Sequence, residues 1–174
     1  MNRVLLGCGG AVLLALLILG AGAAASYNGL VSLDQGVQAQ WGQVENVYQR
    51  RADLVPNLVE TVKGAAAFEM ATFQAVTEAR ASVGQISAGA AGRIADDPEA
   101  FKRFAGAQDQ LSSALSRLLV VSERYPDLKA TAAFRDLQAQ LEGTENRITV
   151  ERQRFNEAAR RFNTRRQSFP TLLI

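Results

Sequence analysis

The sequence contains no histidine and a single cysteine, Cys8, among its 174 residues. Histidine-based acid/base catalysis, zinc binding by Cys/His clusters, Glu-x-x-His di-metal sites and an internal disulfide are therefore excluded. Proline is also scarce, with four residues, and abundant Ala, Leu, Gln, Glu and Arg favour long helices over strands. The 19 basic residues nearly balance the 17 acidic ones, so the overall charge does not indicate nucleic acid as a partner.

An uncharged apolar run of 22 residues extends from Val4 to Ala25. At about 1.5 Å per residue, a helix of this length crosses the roughly 30 Å hydrocarbon core of a bilayer. Arg3 precedes the run and the next basic residue after it is Arg50, so the positive-inside rule places the amino terminus in the cytoplasm. The sequence predicts a transmembrane anchor at residues 1–26 and a domain outside the cytoplasm.

Two processing signals compete with a retained anchor. Small residues at positions 21–25 form a potential signal-peptidase site, although the apolar run exceeds the usual signal core of about 7–15 residues. The string Leu5-Leu6-Gly7-Cys8 is similar to a lipoprotein signal, but it lies too close to Arg3 to enter the membrane as one. We interpret Cys8 as an ordinary residue of the span, and cleavage after residues 21–25 stays open.

Beyond the anchor, four segments carry apolar residues at alternating spacings of three and four, which is typical of helices that pack on other helices. Glycines 84, 89 and 92 mark a loop between the second and third segments, and Asp97-Pro98-Glu99 predicts a capped helix start. The four stripes are Val37, Trp41, Val44 and Tyr48; Leu58, Val62, Ala65, Phe73, Val76 and Val83; Phe101, Phe104, Gln108, Leu111, Leu115, Leu118, Ser122 and Tyr125; and Phe134, Leu137, Leu141, Thr144, Ile148, Glu151, Phe155, Ala158 and Phe162.

Pro56 and Pro126 predict helix breaks, because the residue before a proline is disfavoured in the α conformation. Both prolines lie 35 residues from position 91, so a chain reversal there brings the breaks to one height. Either an antiparallel, up-and-down four-helix bundle or a long hairpin kinked at both prolines satisfies this. We favour the bundle, in which four helices close a core around all the stripes. Residues 128–168 would extend roughly 60 Å as a helix, so their far end should lie on the membrane surface or pack on the stem.

Seven short strings follow one another between residues 27 and 170. They are Tyr27-Asn28-Gly29-Leu30-Val31, Arg50-Arg51-Ala52-Asp53-Leu54-Val55-Pro56-Asn57-Leu58-Val59, Val62-Lys63-Gly64, Glu78-Ala79-Arg80, Tyr125-Pro126-Asp127-Leu128-Lys129-Ala130, Phe134 with Leu137-Gln138, and Phe155-Asn156 and Phe162-Asn163 before Phe169-Pro170. In this order the strings resemble the LemA family of bacterial envelope proteins. The resemblance implies a helical bundle at residues 27–170 with a tail at 171–174, tethered to the bacterial inner membrane and without established enzymatic activity. Members of that family include a magnetosome-membrane protein, and their genes often neighbour those of membrane proteases.

Charged residues flank the first predicted break. There a carboxylate can cap the following helix and an arginine can bond the last carbonyls of the preceding one, which is our preferred interpretation. Alternatively, because the two breaks should be neighbours, their residues form one docking corner for a partner. The residues of this candidate interaction corner are Arg50, Arg51, Asp53, Pro56, Tyr125, Pro126, Asp127 and Lys129.

The last segment carries the main charge imbalance, with seven arginines and two glutamates between Arg147 and Arg166. A basic amphipathic helix can lie on anionic lipid with its aromatic edge buried. A solvated outer face of a bundle helix fits the same pattern. The candidate lipid-surface patch consists of Arg152, Arg154, Arg160, Arg161, Arg165 and Arg166.

The sequence thus predicts a non-enzymatic, single-pass membrane protein of the cell envelope that serves as a helical interaction or scaffold module. The expected partners are the membrane, other envelope or membrane proteins and anionic lipid, with no nucleic acid and no cofactor. The alternative is an accessory or adaptor of a membrane protease, or an envelope hydrolase whose site is assembled at the breaks. No Gly-flanked serine or paired acidic motif indicates catalytic residues.

Overall fold

A computed structural model describes residues 2–64, 69–90, 94–95, 97–169 and 171. These residues form five helices, and none of them lies in a β-strand, so the prediction of an all-helical chain is confirmed. Three positions named in the sequence patterns, Ala65, Gly92 and Pro170, lie outside the described residues, as does most of the predicted tail. The helices are α1 (Asn2–Lys63), α2 (Met70–Ala90), α3 (Pro98–Ser122), α4 (Pro126–Ala130) and α5 (Ala132–Gln167).

The chain divides into two compact units. The stem unit combines Met1–Gln40 with Gln153–Ile174, and the core unit is Trp41–Arg152. The stem unit contains both the anchor segment and the end of α5, and packing of the last helix on the stem stays a prediction. The predicted domain boundaries at residues 26 and 170 stay predictions.

In the stem unit, the amino-terminal part of α1 is long and apolar enough to cross a membrane. Its large apolar side chains from Leu13 to Leu19 are exposed by 61–68%. A helix that exposes a charge-free apolar surface all around is typical of a membrane span. The prediction of a long apolar helix at the amino terminus is confirmed.

The core unit buries much of the predicted stripes, although Phe101 is 38% exposed and Val37, Phe155 and Phe162 are partly exposed residues of the stem unit. Side chains from α1, α2, α3, α4 and α5 join in one apolar cluster, and burying each large side chain in it stabilises the fold by roughly 1.5–3 kcal/mol. The cluster residues of α2 recur every three or four positions, as the spacing predicts, whereas α1 contributes only residues 55–62 and α5 only Phe134 and Leu141 as buried members. Its large members are Val55, Leu58, Val59, Val62, Phe73, Val76, Val83, Leu111, Leu115, Leu118, Val121, Leu128, Phe134 and Leu141.

The start of α3 confirms the predicted cap. Asp97 has extended backbone angles, and its Oδ1 accepts hydrogen bonds from the main-chain N–H groups of Glu99 at 2.9 Å and Ala100 at 3.2 Å. Pro98 occupies the first turn, where its missing N–H leaves no carbonyl without a donor. Local chemistry therefore fixes this helix start.

The predicted break at Pro56 is wrong. Helix α1 continues through Pro56 to Lys63, so Leu58 and Val62 belong to α1 and not to a second helix. A proline inside a helix leaves the carbonyl four residues earlier without its donor. Here that carbonyl belongs to Ala52, and it accepts a hydrogen bond from Nε of Arg80 in α2 at 2.9 Å. This contact satisfies the group that the sequence argument left unpaired.

The real breaks lie after Lys63 and at Pro126. Helix α3 ends at Ser122 and Pro126 begins the short helix α4, which confirms the second predicted break. Glu69, just before α2, forms a salt bridge of 2.9 Å with Arg124, just after α3. The two breaks are therefore neighbours, but the first of them follows the end of α1 at Lys63 and does not lie at Pro56.

Candidate functional site

Arg51 is the only charged side chain among the buried residues that the structure describes, and it is 1% exposed. Helix α1 directs it into the core unit, on the same face as Val44, Tyr48 and Val55, which are also buried. A buried charge is stable only when a counter-charge and hydrogen bonds replace its hydration. The groups around Arg51 therefore define the first candidate site.

The guanidinium group of Arg51 bonds to two other helices. Its Nη1 donates hydrogen bonds to Oγ of Ser112 at 2.7 Å and to Oε1 of Glu145 at 2.8 Å. Its Nη2 donates to the main-chain oxygen of Gln108 at 3.1 Å and also to Oε1 of the same residue. The ring of Tyr48 lies 5.1 Å from the guanidinium carbon, within the range of a cation–π contact. We call Tyr48, Arg51, Gln108, Ser112 and Glu145 the Arg51 cluster.

The charge of this cluster is balanced by one carboxylate at its edge. The side chain of Glu145 is 43% exposed, so it remains hydrated while it neutralises Arg51. Burial raises the pKa of Tyr48 above its ordinary value, although the positive charges of Arg152 and Arg51 act in the opposite direction. Within the described part of the chain, Nε of Arg51 and Nε2 of Gln108 have no hydrogen-bond acceptor.

An aromatic group adjoins the cluster along α1 and α3. The ring centroids of Trp41 and Tyr48 lie 5.6 and 5.3 Å from that of Phe104, both at steep interplanar angles. Phe101 contacts Trp41 at 5.5 Å. Such edge-to-face pairs add roughly 0.5–1.5 kcal/mol each to the burial of the rings. They position the phenol of Tyr48 beside Arg51.

The Arg51 cluster can hold helices together, but it offers no nucleophile next to a base. Its hydroxyl from Ser112 accepts a hydrogen bond from an arginine, which cannot remove a proton. Among the described residues, no three Cys, Asp or Glu side chains gather where they could bind a metal ion. The arrangement is that of a polar link between α1, α3 and α5.

The structure corrects the turn chemistry proposed for the interaction corner. Arg51 bonds to α3 and α5 instead of the end of a preceding helix, and Asp53 accepts a hydrogen bond from Nε2 of Gln49 at 2.8 Å on the exposed face of α1. Neither residue caps a helix, because α1 is unbroken here. Arg51 also lies far from the second break, because its contact Ser112 precedes Glu123, at the end of α3, by 11 residues, or about 16 Å of helix.

The other corner residues keep an exposed surface. Arg50, Asp53, Pro56, Pro126 and Asp127 are exposed, and Tyr125 is partly buried. Lys129 forms a salt bridge of 2.6 Å with Glu123 across the second break. Docking of a partner at these residues stays a prediction, without Arg51, whose burial removes it from the surface.

All six arginines of the lipid-surface patch are exposed, with Arg152 in the core unit and the other five in the stem unit. Arg161 bonds to Glu157 one turn earlier, and this hydrogen bond lowers the pKa of the glutamate. The guanidinium of Arg166 lies 6.0 Å from the centroid of Phe162. The lipid-binding role of these residues stays a prediction.

Sequence reasoning missed the partners of Arg51. Gln108 had been placed on the apolar stripe of the third segment and Tyr48 on that of the first, but neither was linked to an arginine. Polar residues on an apolar stripe were the available signal, since each needs a buried partner. Ser112 and Glu145 gave no such signal.

Comparisons with known proteins identify the family of this chain. The model of the LemA family matches residues 40–174. The magnetosome protein MamQ of Magnetospirillum gryphiswaldense is 27% identical over 158 residues, which cover 83% of this chain and 58% of that protein. MamQ 1 and MamQ 2 of Paramagnetospirillum magneticum match with the same identity and coverage. The chain therefore covers less than two thirds of the length of these curated relatives. The model of the LemA family matches most of this chain, so the chain belongs to the LemA family.

Proposed function

We propose that this protein is a non-enzymatic, single-pass membrane protein of the bacterial envelope whose helical domain outside the cytoplasm binds other envelope or membrane proteins. The observation that carries the proposal is the exposed apolar surface of α1 between Leu13 and Leu19, which needs a lipid environment. The same helix continues without a break to Lys63 and supplies apolar residues to the core. One helix thus serves as anchor and as core element.

The domain is proposed to be an antiparallel four-helix bundle of α1, α2, α3 and α5. Along α1 and α3, the pairs Trp41–Phe104 and Arg51–Ser112 advance in the same direction. Arg51 of α1 contacts Glu145 of α5. Tyr48 lies earlier in α1, and the rise of its pKa on burial is opposed by the charge of Arg152, which lies later in α5. These pairs support parallel packing of α1 and α3 and antiparallel packing of α5, as an up-and-down bundle requires.

A scaffold role is supported by the chemistry of the core. The Arg51 cluster uses its strong hydrogen bonds to link groups on three helices, which stabilises a packed structure. The likeness to the magnetosome protein MamQ and the match to the LemA family support a membrane-associated protein of bacteria. Because the chain covers 58% of that relative, the relative's own partners are not transferred.

A topology measurement tests the anchor and its direction. Fused after Ile174, alkaline phosphatase should be active and a green fluorescent protein should be dark, because the first matures only outside the cytoplasm and the second mainly inside it. A matched variant that combines Arg3→Glu with Asp34→Lys reverses the charge bias across the span and should shift activity toward the fluorescent fusion. Fluorescence from the unaltered chain would overturn the proposed orientation.

Photocrosslinking in intact cells tests the interaction role. A photoreactive residue in place of Asp127 should capture a discrete membrane protein, since this position lies on the exposed corner surface. The same residue in place of Asn146, exposed on α5, is the control. Identical products at both positions, or none at either, would argue against a docking corner.

A further inference from the structure

We propose that Arg160, Arg161 and Arg165 form a docking surface for the anionic headgroups of the membrane that α1 crosses. This inference rests on the proposed membrane tether and adds a lipid class and a binding surface to it. It selects one of the two readings that the charge pattern of the last helix allows.

The geometry of α5 gathers the three guanidinium groups on one face. They line a shallow recess of about 400 Å³ together with the hydroxyl-bearing residues Thr164 and Ser168. These five residues recur at spacings of one, three and four, so they share one face of the helix. Guanidinium groups gathered on one surface donate charge-assisted hydrogen bonds to phosphate oxygens, whereas the hydroxyl of Ser168 already donates to the main-chain oxygen of Thr164 at 2.7 Å.

These three arginines share one counter-charge within the part of the chain that the structure describes. Glu157 forms a salt bridge with Arg161, and the charge of Arg160 also lowers the pKa of this carboxyl, while neither Arg160 nor Arg165 forms a salt bridge with a described residue. Residues 153–174 contain five arginines and one glutamate, a net charge of +4, while the remainder of the chain has 14 basic and 16 acidic residues. The positive charge is thus concentrated at the end of α5.

The position of this charge relative to the anchor favours a lipid surface. The segment Gln153–Ile174 belongs to the same compact unit as Met1–Gln40, which contains the apolar span. Ser26, the first residue after the apolar run, is 5% exposed although its neighbours Ala25 and Tyr27 are exposed. One face of α1 is therefore covered at the level where the span leaves the hydrocarbon. The arginines accordingly belong to the part of the protein that adjoins the headgroup region.

Aromatic side chains complete an interfacial surface. Phe169, just beyond the arginines, is 79% exposed, which is a large apolar area to leave in water. Arg166 stacks over Phe162 at 6.0 Å. Exposed aromatic rings next to arginines are the composition of helices that lie at a membrane interface.

The test uses the full chain, reconstituted in bilayers of phosphatidylcholine with or without phosphatidylglycerol. Cys8→Ser and Gln167→Cys give one labelling site for a polarity-sensitive dye on the exposed last turn of α5. The dye emission should shift to the blue in the anionic bilayers only. The shift should vanish in about 1 M NaCl, where the Debye length is about 3 Å. It should also vanish in the triple variant Arg160→Gln, Arg161→Gln, Arg165→Gln, which retains helix propensity.

A matched control removes the same charge elsewhere. The triple variant Lys102→Gln, Arg103→Gln, Arg135→Gln alters exposed residues of the core unit and should keep the blue shift. Loss of the shift in both triple variants would show a response to net charge alone and overturn the assigned surface. A shift on adding inorganic phosphate to phosphatidylcholine bilayers would assign a soluble anion and likewise overturn it.

Flotation of the same samples separates the tether from the lipid surface. The chain and both variants should float with the bilayers at high salt, because the apolar span holds them there. Failure to float would refute the tether and with it this inference. Flotation with equal dye emission in both bilayers would refute the lipid surface alone.

Discussion

Nε of Arg80 donates a hydrogen bond of 2.9 Å to the main-chain oxygen of Ala52, 28 residues earlier. That oxygen lacks its helical donor because residue 56 is a proline. The contact therefore converts a position that would end a helix into one that joins α1 to α2. It explains how α1 reaches Lys63 without a break.

The first prediction is that Arg80→Met destabilises the protein by about 1–3 kcal/mol, the usual effect of a buried carbonyl left without a donor. In a Pro56→Ala background the same change should have a much smaller effect, because the substituted alanine supplies a main-chain N–H to the carbonyl of Ala52. Urea unfolding in neutral detergent micelles, followed by the fluorescence of the single tryptophan, measures both. Arg103→Met, on an exposed surface, is the control and should change the free energy of unfolding by no more than about 0.5 kcal/mol. Equal losses in both backgrounds would show that the Arg80 contact is independent of the proline.

The second prediction concerns the pair of Arg51 and Glu145. Glu145→Leu leaves a buried guanidinium without its carboxylate and should destabilise the protein by about 3 kcal/mol, the lower end for such pairs because Glu145 is partly exposed. The double variant Arg51→Met, Glu145→Leu should recover most of this loss, since apolar groups of similar volume can replace a buried ion pair. The same urea unfolding measures it. A double variant that sums the two single losses would indicate that the pair is not coupled.

The third prediction concerns pH. Because burial raises the pKa of Tyr48 above 10.0, the folded protein keeps the phenolic proton at a pH where the unfolded chain has lost it. The stability that comes from this neutral phenol is complete below about pH 10 and is lost as the pH rises from there through the folded-state pKa. Above pH 10, the urea midpoint of the unaltered protein should therefore fall relative to the midpoint of Tyr48→Phe. The remaining tyrosines contribute equally to both proteins, so a difference that is constant with pH would contradict the prediction.

The fourth prediction compares two neighbours in α3. Leu118 is fully buried, whereas Val120 is 65% exposed. Leu118→Ala should destabilise the protein by about 2–5 kcal/mol through lost contacts and a cavity. Val120→Ala should change the stability by about 0.5 kcal/mol at most. Thermal unfolding followed by circular dichroism measures both, and similar melting of the two variants would show that the packed face of α3 lies elsewhere.

Periodicity and single-residue chemistry were sufficient to predict much of this protein. The spacing of apolar residues marks the packed face of each helix, because an α-helix repeats every 3.6 residues in any surroundings. Asp97 and Pro98 specify a helix start through bonds to residues two and three positions away. The uncharged run from Val4 to Ala25 specifies an apolar helix by its length alone. The sequence by itself determined these features because each depends on neighbours along the chain.

The tertiary structure alone decided the fate of Pro56 and Arg51. Whether a proline ends a helix depends on a donor for the released carbonyl, and here the donor comes from another helix. Whether an arginine caps a turn or enters the core depends on a carboxylate that lies 94 residues away in the chain. The free energy of a buried charge is set by partners in space, and the local pattern around Arg51 contains no record of Gln108, Ser112 or Glu145.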